Sequence, residues 1–387
     1  MYKKCSCKNF TKIKSNLKVF HLITSVQLGG AEVVAFNIIK GIGNSNIEFI
    51  LLELYASNTA YANQKKNELK KNGIKVVTLS NYNKSLSLLL APLKLYSIMR
   101  NGPYSIFHSH TDLPDFVLSV SLRISKIFKF SGFNIMRTIH NTVLWPNHKR
   151  IAKFVESSFE NDHVVGVSEG ALKAYTRLRK KMKLRVSDKI TLIFNGCKLP
   201  TNKILEFKLD NSRINIGICG RFEDQKGIDL LITFLNDFND QIKNRVNFIF
   251  IGSGSYKQEL QILSLKNENI SLHKPINEIN NKLHSFDYIL MPSRFEGLAL
   301  MSIEASFAKV PVIASNVKGL NETLPSDWPL FFDVFNNESL LLILKGILNN
   351  KFDPNVLSEI SHEFVNKHFT IDKMCKKYEQ LYLSYEI

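Results

Sequence analysis

Two glutamates near residue 300 could bind one ligand, because only seven residues separate Glu296 from Glu304. Apolar patterns predict a strand at 288–291, a helix that starts near Gly297 and another strand after Pro311. The amides of the first helical turn favour an anionic group at the edge of a parallel sheet. With Glu296 in the loop and Glu304 about two turns inside the helix, the carboxylates would reach two parts of an elongated ligand. The alternative is that Glu296 complements the helix dipole and Glu304 is an ordinary helical residue.

Two cations share an earlier loop. A strand is predicted at 213–219, and it runs into Gly-Arg-Phe-Glu-Asp-Gln-Lys-Gly, which contains Arg221 and Lys226. A guanidinium supplies a planar fork and an ammonium a point charge, and together they bind a diphosphate. Two ordinary surface cations are the alternative.

A pair of glycines follows the first predicted strand, at 18–24. Gly29 and Gly30 lie in the turn before a predicted helix at 33–40. Because glycine has no β-carbon, backbone amides at such a turn can approach a ligand closely. A plain tight turn is the alternative.

Three histidines lie at or just beyond predicted strand ends: His108 and His110 in His-Ser-His, and His140 in Thr-Ile-His-Asn. Ligands bind at the carboxyl ends of strands in parallel sheets, so these are candidate site positions. His-x-His also suggests a metal pair, but no acidic or cysteine cluster accompanies it, and no metal is expected. A histidine satisfied within the core is the alternative for each.

The elements that must position these residues alternate along the chain. Further strands are predicted at 48–54, 75–79, 106–108, 135–139, 163–167, 189–194, 248–251 and 270–273, with segments of helical spacing between them. This alternation predicts an α/β fold with parallel sheets covered on both faces. Residues 199–212 have the composition of a linker.

Composition bounds the class of protein and its partners. The 387 residues suffice for two domains, and 44% hydrophobic with 22% charged residues indicates a globular chain. The net charge of +17 suits a polyanion, which could be nucleic acid, an anionic bilayer or a phosphorylated substrate. The five scattered cysteines favour a reducing cytosol, and zinc is not expected at Cys5 and Cys7. No apolar run has secretory or membrane-spanning length, so the protein is expected to be neither exported nor membrane-spanning.

Two segments combine cations with apolar residues. Residues 172–185 interleave Arg and Lys with Leu, Tyr and Met, and residues 85–100 are rich in leucine. Either could contact anionic lipid headgroups. The alternatives are a solvated face for the first segment and burial in the core for the second.

These motifs together resemble glycosyltransferase family 4. The resemblance rests on Gly-Gly-Ala-Glu, Thr-Ile-His-Asn, Gly-Arg…Lys-Gly, Ser-Arg-Phe-Glu-Gly and Val-Pro-Val-Ile-Ala-Ser. It covers residues 19–332 and is strongest after Asn195. Lys309 and Lys318 depart from it, because the family usually has glycine at both positions.

The resemblance implies the GT-B fold, in which two Rossmann-like doubly wound domains face each other across a cleft. The expected domains are 1–199 on the acceptor side and 200–369 for the nucleotide sugar, with a helix at 370–387 that packs back on the first. The implied donor-binding residues are Gly29, Gly30, Arg221, Lys226, Pro275, Glu296, Gly297, Leu298, Ala299 and Glu304. The implied catalytic residues are Glu296, His140, Arg221 and Lys226.

The function that follows is retaining transfer of a hexosyl group from a UDP- or GDP-sugar, without cofactor or metal. The expected acceptor is a lipid-linked saccharide of bacterial surface polysaccharide (O-antigen, capsule or lipopolysaccharide), reached from the cytoplasmic side of the inner membrane. Two rivals remain: a GT-B sugar-nucleotide epimerase, and a basic nucleic-acid-binding protein, whose usual aromatic and basic interleaving is missing. No nucleic-acid partner is expected.

Overall fold

The structure is a computed structural model that describes residues 17–385 apart from 28, 45, 83, 103–104, 147–148, 202–208, 211 and 238–239. At 240–241 it describes the backbone alone. The predictions on Cys5 and Cys7 therefore lie outside the described residues. The described cysteines, Cys197, Cys219 and Cys375, are free thiols.

The first half of the chain builds one parallel sheet. Its strands are β1 (Leu17–Ile23), β2 (Ile47–Tyr55), β3 (Lys75–Ser80), β4 (Ile106–Ser109), β5 (Asn134–Ile139), β6 (His163–Gly166) and β7 (Ile190–Leu192). Their order across the sheet is β3-β2-β1-β4-β5-β6-β7. Since β1 lies in the middle and the chain winds outward in both directions, the sheet is doubly wound.

Helices cover both faces of this sheet. They are α1 (Gly30–Gly41), α2 (Ala60–Lys71), α3 (Lys84–Arg100), α4 (Asp112–Ile127), α5 (Lys149–Glu156) and α6 (Glu169–Lys181). Val19 of β1 packs in one apolar cluster with α1, and Phe20 packs in a second cluster with α3 and α4. Successive strand residues point to opposite faces, so the two clusters lie on opposite sides of the sheet.

The second half repeats this plan. Its strands are β8 (Ile214–Arg221), β9 (Val246–Ser253), β10 (Ile270–His273), β11 (Tyr288–Met291), β12 (Val312–Ser315) and β13 (Phe331–Phe332), in the parallel order β10-β9-β8-β11-β12-β13. Its helices are α7 (Ile228–Asn236), α8 (Asp240–Lys243), α9 (Lys257–Lys266), α10 (Leu300–Phe307), α11 (Asn337–Leu348) and α12 (Pro354–His368). The predicted fold class, two Rossmann-like sheets of GT-B type, is confirmed.

The last helix returns to the first sheet. In α13 (Ile371–Leu383), the side chains of Met374, Cys375, Tyr378 and Tyr382 are buried in the apolar cluster of α1 and β1. The domain boundaries at 199 and 369 stay predictions.

Two sequence-based predictions about helices were wrong. Helix α10 begins at Leu300 rather than near Gly297, and Glu304 therefore lies about one turn inside it rather than two. The reason is that the carbonyl groups of Glu296 and Gly297 accept hydrogen bonds from the first half of the chain instead of from a helical turn.

Helix α6 does not expose the mixed basic and apolar face that its sequence suggests. Arg179 is buried and bonds to Glu156, and Tyr175 is buried as well. The remaining cations of α6 form a solvated face. No helix among the described residues combines the length and apolarity that crossing a bilayer requires.

Candidate active site

A cavity of about 920 Å³ lies between the two halves of the chain. Both halves line it at the carboxyl ends of their strands, which is where doubly wound sheets bind ligands. The predicted site residues that line it are Gly29, Gly30, His140, Arg221, Lys226, Glu296, Gly297 and Leu298. The structure thus brings together eight of the eleven predicted residues; Pro275, Ala299 and Glu304 lie outside this cavity.

The loop after β8 carries both predicted cations. Arg221 Nη2 donates to Gln225 Oε1 at 2.9 Å, and Gln225 Nε2 donates to the carbonyl of Phe295 at 3.3 Å. The loop turns through Gly227, whose φ of 66° is left-handed and where a β-carbon would lie 1.9 Å from the carbonyl oxygen of Pro292. This close approach places the cation loop directly against the loop that carries Glu296.

The Glu296 carboxylate is fixed from two sides. Its Oε1 accepts from Lys226 Nζ at 2.5 Å and from Ser293 Oγ at 2.7 Å. The residue is buried, so its negative charge requires such partners. One cation of the predicted diphosphate clamp is therefore held by the carboxylate predicted to bind sugar hydroxyls.

Gly297 joins the two walls of the cavity. A β-carbon at this position would lie 1.7 Å from the carbonyl oxygen of His140. Thr142 Oγ1 donates to the carbonyl of Glu296 at 2.8 Å, and Ser168 Oγ donates to the carbonyl of Gly297 at 2.5 Å. Only glycine permits this approach, which holds the Glu296 loop against the end of β5.

Glu304 lines a second, smaller cavity. This cavity has a volume of about 140 Å³ and shares Leu300 with the large one. Burial raises the pKa of Glu304 to about 7. Burial, together with the nearby Glu304, raises the pKa of the Cys219 thiol to about 12. A ligand that extends past Leu300 could reach both glutamates.

The glycine pair at the start of α1, which begins at Gly30 rather than at the predicted residue 33, also holds a carboxyl group. Gly29 and Gly30 line the large cavity, and so does Glu32. A β-carbon on Gly29 would lie 2.2 Å from Glu32 Oε2, so this carboxyl group folds back over the turn. Burial raises the pKa of Glu32, which favours its neutral form beside any ligand phosphate.

Two residues that were predicted to bind the nucleotide sugar, Ala299 and Pro275, do not line the large cavity. The amide of Ala299 donates to the carbonyl of Gly319 at 2.8 Å, so it is already engaged within the second half of the chain. Pro275 is exposed and borders neither cavity. The amide of Ala299 is therefore not available to a ligand, because the carbonyl of Gly319 already accepts its hydrogen bond.

His140 is neutral at the cavity wall. Burial lowers its pKa to about 3, and its Nε2 lies 3.2 Å from His110 Nδ1. His110 contacts His21 in turn, with 2.8 Å between Nε2 and Nδ1. His108 and His110, which the sequence placed at a strand end, therefore belong to one buried cluster with His21. His110 and His140 border the large cavity, and His140 is the ring at the end of the cluster.

Three further residues belong to the site that sequence reasoning did not assign. Gln225 positions Arg221 and Ser293 positions Glu296, and both lie within four residues of a predicted site residue, which is the signal that could have found them. Asn195 borders the cavity, and its buried Oδ1 has no hydrogen-bond partner among the described residues. A hydroxyl group of a ligand would satisfy this oxygen.

A buried ionic cluster supports the first wall from below. Arg137 is fully buried on β5 and bonds to Asp115, Glu156 and Asp162. Burial raises the pKa of Asp115 to about 7 although Arg137 opposes this shift. Arg137, Glu156 and Asp162 are thus enclosed beneath the first wall, and Asp115 also borders the cavity.

The chain matches two family models. The model for Glycosyltransferase Family 4 matches residues 28–199, and the model for Glycosyl transferases group 1 matches residues 213–340. The first range contains β2 to β7, the second contains β8 to β13, and together they span most of the chain.

Relatives and solved structures agree with the models. The O-antigen biosynthesis glycosyltransferase WclY of Escherichia coli is 25% identical over 387 residues, covering 95% of this chain and 98% of that protein. An uncharacterised 41.2 kDa protein from the cps region of Klebsiella pneumoniae is 24% identical, covering 95% of this chain and 100% of that protein. The structure of HepE from Anabaena in complex with UDP has a TM-score of 0.73 at 16% identity, covering 95% of this chain and 100% of the other, and shows the same fold.

Proposed function

The chain belongs to glycosyltransferase family 4, and we propose that it moves a hexosyl group from a UDP- or GDP-sugar to a lipid-linked saccharide, with retention at the anomeric carbon. The observation that carries the proposal is the convergence of Arg221, Lys226, Glu296 and His140 on one cavity between the two sheets. A nucleotide diphosphate sugar has the parts that these groups recognise, namely phosphates and hydroxyls.

The leaving group determines the role of the cations. Negative charge develops on the diphosphate as the glycosidic bond breaks, and preorganised cations stabilise that charge in the transition state. Arg221, held by Gln225, and Lys226, held by Glu296, would neutralise it without a metal ion. The start of α10, at Leu300, borders the cavity and would add the positive end of a helix dipole.

The sugar would lie between the two walls. Glu296 would accept hydrogen bonds from its hydroxyls, and His140 would contact it from the first half. Glu304 would accept from the ribose hydroxyls in the smaller cavity. We assign no protein nucleophile, since attack on the front face, aided by the leaving phosphate, needs none.

The acceptor assignment draws on the relatives. One of them carries out O-antigen biosynthesis by its name, and another is encoded in a cps region. We therefore infer that this enzyme extends a saccharide of bacterial surface polysaccharide, such as O-antigen, capsule or lipopolysaccharide.

A basic and apolar surface suits an acceptor held at a membrane. Leu86, Leu89 and Leu93 are 37%, 69% and 57% exposed along one face of α3, and Lys84 at its start borders the large cavity. Ile127 at the end of α4 is exposed as well. The exposed cations of α3, α4 and α5 are Lys84, Lys94, Arg100, Lys126, Lys149, Arg150 and Lys153.

Charge favours an anionic bilayer as the occupant of this surface. Asp112 is the exposed acid within the described residues of α3, α4 and α5. Each Lys or Arg near an anionic bilayer contributes about 1 kcal/mol. Because Lys84 lies at the cavity edge, a membrane bound along α3 would bring lipid headgroups to the mouth of the cleft, on the inner face of the cytoplasmic membrane.

Flotation with vesicles tests the membrane contact. The full chain should float with phosphatidylglycerol vesicles at low salt and be released at high salt. Replacing Leu86, Leu89 and Leu93 with serine should weaken binding more than about tenfold, since three apolar side chains leave the bilayer. Leu265→Ser, at an 87% exposed position of the second half, is the matched control. Absence of salt-sensitive binding by the native chain contradicts this part of the proposal.

A screen of nucleotide sugars tests the transfer. UDP- and GDP-hexoses are incubated with the full chain and EDTA, and thermal stabilisation and nucleotide release are followed by mass spectrometry. Arg221→Ala should lower turnover at least ~100-fold, because the arginine supplies about 2.7 kcal/mol in the transition state. Arg177→Ala, at an exposed position of α6, should leave turnover unchanged.

Two results would contradict the proposal. One is formation of an epimeric nucleotide sugar in place of transfer, and the other is turnover that requires a divalent metal. Near-normal transfer by Arg221→Ala would remove that residue from the mechanism.

A further inference from the structure

A line of hydrogen bonds runs from the C-terminal helix to the cavity. Tyr382 of α13 lies 3.3 Å from His21 Nε2, and His21 Nδ1 lies 2.8 Å from His110 Nε2. His110 Nδ1 lies 3.2 Å from His140 Nε2. We call these three rings and Tyr382 the histidine chain. Both nitrogens of His21 and of His110 are engaged within it.

The line continues beyond the hydroxyl of Tyr382. His108 Nδ1 lies 2.7 Å from that hydroxyl, and His108 Nε2 lies 2.7 Å from Thr138 Oγ1. Thr138 Oγ1 lies 3.2 Å from the hydroxyl of Tyr378. Tyr378, Tyr382 and His108 are fully buried, so bulk water does not reach them.

Every ring of the line is neutral. Burial lowers the pKa of His21 and of His140 to about 3, and it lowers those of His108 and His110 well below the usual value. A neutral imidazole donates through one nitrogen and accepts at the other. Since both nitrogens of the intermediate rings are engaged, each ring passes the direction of its hydrogen bonds on to the next group. The direction could reverse only at a hydroxyl that accepts from both sides, Thr138 or Tyr382.

The buried end at Tyr378 selects that direction. If the protons ran from His140 towards α13, the proton of Tyr378, or of a hydroxyl that accepts from both sides (Thr138 or Tyr382), would lack an acceptor among the described residues. An unsatisfied buried donor costs about 1–3 kcal/mol. In the opposite direction Tyr378 donates to Thr138, and each later group donates to the next as far as His140 Nε2. His140 then carries its proton on Nδ1, the nitrogen outside the line.

We propose that Tyr382 is a positioning residue for the donor site, because it holds His140 in the Nδ1–H tautomer through the histidine chain. The inference rests on the proposed contact between His140 and the sugar. Through this chain, a helix that packs on α1 and β1 determines which nitrogen of His140 can donate to a ligand.

The same histidines could be taken for a metal site. Ligand atoms of His21, His108 and His110 lie within 4.8 Å of one another. However, the nitrogens of these rings are engaged in the line, and a buried dication would have no anionic ligand among them. A metal bound here would replace the hydrogen bonds between these rings, so metal binding and the histidine chain exclude each other.

The tautomers can be measured directly in the native chain. With ¹⁵N-labelled histidine, long-range ¹H–¹⁵N correlation spectra distinguish a protonated nitrogen from an unprotonated one, and single substitutions assign the signals. His21, His108, His110 and His140 should all be Nδ1–H tautomers, although Nε2–H is the more common form of histidine in water. An Nε2–H tautomer at His140, or stoichiometric zinc in the purified protein, overturns the proposal.

A pair of matched variants tests the role of Tyr382. Tyr382→Phe keeps the ring and removes the hydroxyl, so His140 should shift towards Nε2–H, and kcat should fall at least about tenfold while the KM for the donor changes little. Tyr385→Phe is the control, because Tyr385 also bonds to a histidine, His163 Nδ1 at 2.8 Å, outside the line. Equal effects of both variants on the His140 tautomer would refute the relay.

The spectra separate this inference from the proposed function. If no nucleotide sugar were turned over but the tautomers were as expected, the relay would stand and the function would fail. If transfer occurred but Tyr382→Phe left the His140 tautomer and kcat unchanged, the function would stand and the relay would fail.

Discussion

The two walls of the cleft present different kinds of polar group to a ligand. The wall of the second half is charged, and its central contact joins Lys226 to Glu296, which are 70 positions apart. The wall of the first half presents a neutral histidine, His140, and the line behind it joins His21 to Tyr382 across 361 positions. Charge can be recognised in a local motif, whereas a neutral network exists only once distant segments have packed.

The difference follows from solvation. Arg221 is exposed, so water stabilises its charge until a ligand replaces that water. His21, His108 and His110 behind the first wall are buried, and their hydrogen bonds are satisfied by one another, by Tyr382 and by His140, which is partly exposed at the cavity. The wall of the second half is therefore expected to stabilise the charge of the leaving group, and the wall of the first half to orient the sugar.

The largest effect is expected from the charge enclosed beneath the neutral wall. Arg137→Met leaves Asp115, Glu156 and Asp162 without their shared cation, and removing one partner of a buried ion pair lowers the free energy of unfolding by about 3–5 kcal/mol. Urea denaturation measures the loss. The control is Arg185→Met, whose exposed pair with Asp188 is worth less than about 1 kcal/mol. Equal losses would show that the buried cluster is not needed by the first wall.

The next effect tests the junction between the walls. In Gly297→Ala the new methyl group would meet the carbonyl oxygen of His140, so the Glu296 loop must move. A displacement of about 1 Å costs on the order of 100-fold in kcat/KM. Gly43→Ala is a matched control, because a β-carbon there has no neighbour within 4 Å. Full activity in Gly297→Ala would mean that the walls work independently.

A smaller effect concerns Glu304, which lines the smaller cavity beside the charged wall and titrates near neutral pH. The pKa of Glu304 is raised to about 7, so the carboxylate that accepts from ribose hydroxyls predominates above pH 7 and is lost below it. The KM for the donor should rise up to about tenfold between pH 8 and pH 6, since about a tenth of the group stays ionised one unit below its pKa. Glu304→Gln should abolish this dependence. A pH profile that the substitution leaves unchanged would assign the titration to another group.

The smallest effect lies at the turn after α10. Lys309 has a φ of 57°, a left-handed conformation that costs a residue with a β-carbon about 1 kcal/mol relative to glycine. Lys309→Gly should raise the free energy of unfolding by about 0.5–1 kcal/mol without a change in kcat. Glu359→Gln removes the same Lys309–Glu359 ion pair and leaves the backbone unchanged, so it is the control. Destabilisation by Lys309→Gly would contradict this account.

That turn also explains a departure from the family pattern. Glycine is usual there because the backbone requires a positive φ, and Lys309 keeps the conformation at a cost in strain. The sequence showed the departure but not its reason. The reason appeared only when the dihedral angle was known.

Much of the second wall could be predicted from sequence. Arg221, Lys226, Glu296 and Gly297 line the large cavity as the motifs predicted. Ala299 and Pro275 do not, because hydrogen bonding to Gly319 and exposure to solvent are decided by loops that no local pattern describes. The start of α10 was misplaced for a related reason, since contacts from the other half hold its preceding residues outside the helix.

The sequence by itself determined the two parallel sheets and the loops that carry charge, because hydrophobic periodicity and the spacing of charged residues are properties of short segments. Only the tertiary structure decided that Gly297 touches His140, that Lys226 pairs with Glu296, and that Tyr382 stands at the end of a line of histidines. Such contacts depend on how distant segments exclude water and satisfy one another's hydrogen bonds, and no segment contains that information alone.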